Sequence, residues 1–189
     1  MKPIKLLLLN PFLKLLIRKN IVTKPKVVEL DEKHCIGYMI STSFEGNRKK
    51  EDIPPFYHDV YDNDKLSALR KDNDVNMYCI FNFNENGKDF DYYVTVENKA
   101  EIHGEPYSEI TLPGGRYAQV EFMKRNHTAA ALVAVYTKNI WTAMNDYNVR
   151  NSPIFILYDE RFHQNYKKYG CVDNKYLGDP IAVLNVPLK

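Results

Sequence analysis

Residues 77–97 constrain this chain more than any other stretch. Met77, Cys79, Phe81 and Phe83 alternate with Asn76, Tyr78, Ile80 and Asn82, the period-two pattern that puts successive side chains on opposite faces of a strand. Asn86-Gly87 follows, a strong short signal for a hairpin turn, and residues 90–97 supply the returning strand. The flanking segments must therefore build on an antiparallel hairpin.

Upstream, Val27, Val28 and Leu30, then Cys35, Ile36, Tyr38 and Ile40, make β-rich runs that the polar stretch 41–51 closes. Ile53-Pro54-Pro55-Phe56-Tyr57 places prolines in the first turn of a helix, with Phe56 and Val60 one turn apart and Leu66 and Leu69 continuing after Asp62-Asn63-Asp64. The order then recurs. Residues 110–112, a turn at Pro113-Gly114-Gly115 and a strand over 117–123 lead into a helix over 128–146, where Ala129, Leu132, Val133, Tyr136, Ile140 and Met144 keep helical spacing. Asn151-Ser152-Pro153 stops it, and two more β-rich runs, 154–158 and 181–186, are joined by a long polar loop over 163–178. The chain reads strand–helix–strand–strand twice, the second copy starting near Ser108. The expected architecture is α+β: two units related by a pseudo-twofold, together forming one domain over residues 26–189 with a ligand cleft between them.

Composition narrows the function. With 189 residues, 44% hydrophobic and 26% charged, the chain has a core to bury and is neither a disordered tail nor a membrane span. A formal net charge of +2 lacks the concentrated basic face of a nucleic-acid binder, so no direct nucleic-acid contact is expected. Cys35, Cys79 and Cys171 show no paired spacing, and the five histidines never recur at i, i+4, so neither a disulfide framework nor a metal site is signalled. A reduced, cytoplasmic setting without cofactor is the expectation. Pro113-Gly114-Gly115 lacks the rest of any phosphate-loop pattern, and no G-x-S-x-G is present, which argues against a standard serine hydrolase.

Residues 1–22 are leucine-rich, basic and free of acids. Asn10, Pro11 and Lys14 interrupt the apolar run, against both a secretory signal and a spanning helix. Asn10-Pro11 instead reads as cap and first residue of a short helix with Phe12, Leu13, Leu16 and Ile17 on one side. Packing on the domain or on a second copy, and contact with a membrane surface, both remain open. Residues 23–26 form the linker, so residues 1–25 stand apart from the domain.

Further residues carry a resemblance. Val27-Val28-Glu29-Leu30 with Gly37, Ile53-Pro54-Pro55-Phe56, Phe90-Asp91-Tyr92-Tyr93-Val94, Leu112-Pro113-Gly114-Gly115-Arg116-Tyr117-Ala118, Pro153-Ile154-Phe155 with Tyr158-Asp159-Glu160-Arg161-Phe162, and Val186-Pro187 together resemble the GyrI-like small-molecule-binding family. That family includes effector-binding domains of AraC-type and multidrug-sensing regulators and gyrase-inhibitory proteins. The resemblance implies a sheet and two helices framing an aromatic pocket for flat, often cationic or amphipathic molecules, held by ring faces. It also implies a buried glutamate on the strand after the second helix, at the place where this chain has Ile156. An isoleucine there points to a more neutral or apolar ligand, since a buried charge needs a partner.

On that basis Trp141 and Tyr93 are the first ligand-binding candidates, followed by Tyr38, Tyr78, Phe56 and Tyr158, with Ile156 marking the lost acid and Glu97 or Glu121 as carboxylates that could replace it. Either Tyr92 or Tyr93, and not both, should face inward. No residue is singled out as catalytic. The expected function is binding or sensing of small molecules without a DNA-binding module, residues 1–25 being too short for a multi-helix reader. The alternatives are a stand-alone hydrolase of toxic electrophiles, which Ile156 disfavours, and a protein-interaction module such as a topoisomerase inhibitor, which the even charge balance does not support. Oligomeric state is not readable from the chain.

Overall fold

A computed structural model describes residues 15, 17–20, 22–71, 74–85, 88–122, 152–169 and 182–188. The described chain is mostly antiparallel strand with few helices, the α+β class expected. It falls into two compact units, one holding residues 31–114 with 152–157 and the other the described residues up to 30, 115–122 and 158 onward. Among the described residues no helix is long and apolar enough to cross a membrane.

In the first unit, β2 (Lys33–Ser43), β3 (Met77–Phe83), β4 (Asp89–Glu97), β5 (Ser108–Leu112) and β7 (Ile154–Tyr158, its last residue belonging to the other unit) lie in the spatial order β7-β3-β4-β2-β5. The hairpin is as expected: β3 and β4 are antiparallel, with Phe83 opposite Phe90 and Tyr78 opposite Thr95. β2 lies between β4 and β5, antiparallel to both. Burial runs through both faces of β4, from Tyr92 to Val96. Tyr92 and Tyr93 point to opposite faces, as alternation requires, and both are buried, 4% and 8% exposed, because both sides of this central strand are covered.

The helix of this unit, α1 (Arg48–Asp62), starts earlier than its prolines suggest. Asn47 is its cap, and Arg48-Lys49-Lys50-Glu51 are good helix formers that extend it backwards into the expected loop. Pro54 and Pro55 thus stand inside the helix and not in its first turn, leaving two carbonyls without helical donors. The helix holds because Val60 is buried and Thr42 of β2 donates to Asp52 at 2.6 Å. Contrary to expectation, the helix does not continue past Asp62; Leu66 and Leu69 are buried instead at a separate 3₁₀ turn, Ser67–Leu69.

In the second unit, β1 (Lys26–Leu30), β6 (Gly115–Phe122) and β8 (Ala182–Pro187) take the order β1-β6-β8. β1 does not join the strand that follows it after two residues; Val28 sits opposite Tyr117, far along the chain. Ala118, Val120 and Phe122 are buried against Val186, Leu184 and Ala182. The chain joins this unit before β1: Val22 is 2% exposed and bridges Phe122, while Thr23 exchanges hydrogen bonds with Glu121.

The expected loop over 163–178 begins instead as a helix, α2 (Glu160–Tyr169). Asp159 caps it, its carboxylate accepting from the Arg161 N–H at 3.0 Å. Phe162, 5% exposed, anchors it. The expected helix over 128–146, Trp141 with it, and the Asn86-Gly87 turn lie outside the described residues.

Candidate functional site

Register sorts the side chains of the first unit onto two faces, since directly opposed residues share a side. Ile36, Tyr38 and Ile40 of β2 stand opposite Val96, Val94 and Tyr92 of β4, and Tyr92 stands opposite Phe81 of β3. This is the face that α1 covers, because Phe56 meets Tyr92 edge-on at 6.1 Å. Cys35, Met39, Tyr78, Ile80, Tyr93, Thr95 and Glu97 belong to the opposite, far face. The ring of Phe155 lies 6.0 Å from Tyr78, so alternation along β7 turns Ile156 toward the helix face.

The sequence candidates are thereby divided. Tyr38, Phe56 and Ile156 fall on the helix face; Tyr78, Tyr93 and Glu97 fall on the far face. Tyr158 belongs to the second unit, 4.3 Å from Phe162. Burial raises the phenol pKa values of Tyr78 and Tyr93, so both stay neutral hydrogen-bonding groups. Neither carboxylate offered as a replacement acid stands alone: Glu97 lies 3.0 Å from Lys33 and 4.0 Å from Lys99, and Glu121 lies 3.3 Å from Lys26. Ile156 is 2% exposed, between the buried Phe155 and the half-buried Leu157.

Two ring systems occupy the helix face. Tyr38, half-buried, meets Tyr107 edge-on at 5.7 Å, and the Lys65 ammonium stands 5.8 Å from the Tyr38 ring centre. Near the hairpin end, Phe44 packs on Phe90 at 4.8 Å and on Phe83 at 5.8 Å; Phe81 continues the series to Tyr92 at 5.0 Å. Lys49 covers Phe44 at 4.3 Å. Phe90 and Tyr92 are buried, so the flat apolar area with polar edges that could hold an aromatic molecule by stacking comes from the half-buried rings of Tyr38, Tyr107, Phe44, Phe81 and Phe83. Tyr107, Tyr92 and Phe44 were not foreseen: Tyr107 and Phe44 sit just outside strands, where alternation gives no signal, and preferring Tyr92 to Tyr93 needs the register. Among the described residues no three His, Cys, Asp or Glu side chains gather as a metal site.

Comparison with known proteins gives the family and the fold. Residues 26–173 match the model of a family described as integron-associated effector binding protein. The chain belongs to that family, which is GyrI-like as the resemblance implies. It is similar in fold to the structure of SAV2435 bound to tetraphenylphosphonium, with 15% identity, a TM-score of 0.61 and coverage of 88% of this chain and 94% of that one. A putative bacterial transcription regulation protein from Staphylococcus aureus MU50 superposes with a TM-score of 0.58 at 16% identity, covering 87% of this chain and 97% of its own. An integron cassette protein from the mobile metagenome of Vibrio cholerae gives 0.53 at 9% identity, covering 89% and 97%. A search of functionally curated proteins found no match.

Proposed function

We propose that this chain binds small aromatic or amphipathic molecules and thereby senses or sequesters them, using the helix face of the sheet in its first unit. The observation that carries the reading is the gathering of half-buried Tyr38 and Phe56 with Tyr107 and Tyr92 on one face, in a chain of an effector-binding family. SAV2435, similar in fold, is bound to a lipophilic aromatic cation. Here Ile156 stands where the resemblance implies a glutamate, so a neutral ligand of the same shape is accepted at least as well, because stacking serves both and an uncompensated cation suffers from desolvation.

The strand orders support a repeat underlying the site. β2 lies between β4 and β5, and β6 lies between β8 and β1, all antiparallel; we read β2 and β6 as equivalent first strands of two related units.

Calorimetric titration with tetraphenylphosphonium and with neutral triphenylphosphine oxide tests the reading. Both are expected to bind, and Tyr38→Ala or Phe56→Ala to weaken both by roughly 1–3 kcal/mol, the scale of one aromatic contact in a desolvated site. Binding of neither, or binding that both variants leave unchanged, overturns it.

A further inference from the structure

The exposed side of the Tyr38 ring system already carries a cation. Lys65 Nζ lies 5.8 Å from the Tyr38 ring centre, within reach of the ring's negative face, and it forms an ion pair with Asp59 at 2.6 Å. The two side chains are 37% and 52% exposed. A pair so open to water is held weakly and exchanges partners readily, and the four-carbon stem of lysine lets its ammonium follow a new anion without moving the backbone. The Lys65 hydrogen bond keeps Asp59 below the usual carboxylate range, so Asp59 stays charged and competes for the ammonium until another carboxylate displaces it.

The other acids near these rings are engaged. Asp64 pairs with Arg70 at 3.6 Å, Glu109 beyond Tyr107 pairs with His103 at 2.9 Å, and Asp52 accepts from Thr42 and lies 3.8 Å from Arg48. Lys49 repeats the arrangement over Phe44 at 4.3 Å. A ligand cation entering beside Tyr38 thus meets an ammonium already in the place it would take, whereas a ligand anion meets a counter-ion beside a ring that can stack on it.

We infer that the Tyr38–Tyr107 surface selects aromatic carboxylates, with Lys65 as the counter-ion that leaves Asp59 to meet them. This rests on the binding reading above and gives its ligand a charge. The carboxylate stacks on Tyr38 through its ring and takes the ammonium through its oxygens; no bond is made or broken.

The test is titration of the full chain with naphthoate, naphthamide and naphthylmethylammonium, which share one ring system and differ in charge. Naphthoate is expected to bind most tightly and the ammonium most weakly. Lys65→Gln should lower naphthoate affinity by about three- to fivefold, the upper range for one exposed ion pair, and leave naphthamide within about twofold. Lys65→Arg should restore naphthoate binding, and Asp59→Asn should strengthen it by freeing the ammonium. A charge order that Lys65→Gln leaves unchanged, or a wild type preferring the ammonium compound, overturns this inference while the binding reading stands. Failure of all three compounds to bind overturns both.

Discussion

Gly37 and Val94 approach so closely that a β-carbon on Gly37 would lie 2.2 Å from the Val94 carbonyl oxygen and 2.7 Å from the Thr95 Cα. Both obstacles are backbone of the neighbouring strand β4, which cannot rotate aside as a side chain can. Gly37→Ala is therefore expected to push β2 away from β4 and cost roughly 1–3 kcal/mol, the range for overpacking a core. Urea unfolding of the variant against wild type measures it; an unchanged midpoint would show that the strands part freely.

The amino-terminal boundary makes a second prediction. Val22 is buried and Thr23 is bonded to Glu121, so a chain starting at Val22 should melt close to the full-length protein. One starting at Lys26 should lose roughly 1–3 kcal/mol, the value of a buried valine together with a hydrogen bond. Thermal melts of the two truncations decide it: equal melting temperatures would show that residues 22–25 contribute nothing.

Burial pushes the thiols of Cys35 and Cys79 from 9.0 up to about 12. The folded state holds their protons where the unfolded state releases them, so their contribution to stability is complete below pH 9 and falls as pH rises from 9 toward 12. Stability measured by denaturant titration should decline over that window, and less steeply in Cys79→Ala, whatever that variant's stability at neutral pH. Native protein at neutral pH should also leave both cysteines unmodified by iodoacetamide in a peptide map, since the thiolate is the reactive form.

Ile156 and Trp141 make the fourth prediction. Ile156→Glu should turn preference toward tetraphenylphosphonium over triphenylphosphine oxide, provided the pH exceeds the raised pKa of a carboxyl placed in an apolar site. Trp141→Ala should weaken both by roughly 1–3 kcal/mol. Trp141 is the chain's one tryptophan, so a change in emission on titration is the expected signal of binding at that residue. A wild type that strongly prefers the cation, and loses the preference in Glu97→Gln or Glu121→Gln, would show that one of those acids has taken over.

The hairpin was legible because alternation and a turn dipeptide are local signals, and β3 begins and ends where the pattern does. Leu66, Leu69 and Val60 were legible for the same reason. What escaped depends on distance along the chain. Whether Tyr92 or Tyr93 meets the helix is decided by its position opposite Phe81 and Ile40, which no window of sequence contains. The partner of β1 lies some way downstream at Tyr117, and nothing in Val27-Val28 distinguishes it from the nearer β2. The start of α1 was masked by proline, whose penalty the helix accepts because Val60 and Asp52 anchor it from the other side. The capping role of Asp159 was local and readable, but the polar residues after it concealed a helix anchored by Phe162.

β1 leaves the ribosome before almost everything else described here, yet the strand it pairs with is made about ninety residues later. In the interval the strands β2 to β5 and helix α1 are synthesised, enough for β2, β3 and β4 to zip together while Lys26–Leu30 still waits with its hydrogen-bonding groups open. The nascent chain thus carries a sticky ribbon ahead of a nearly finished sheet, and Lys26 and Glu29, exposed on that ribbon, are its protection against pairing with a neighbour on the same message.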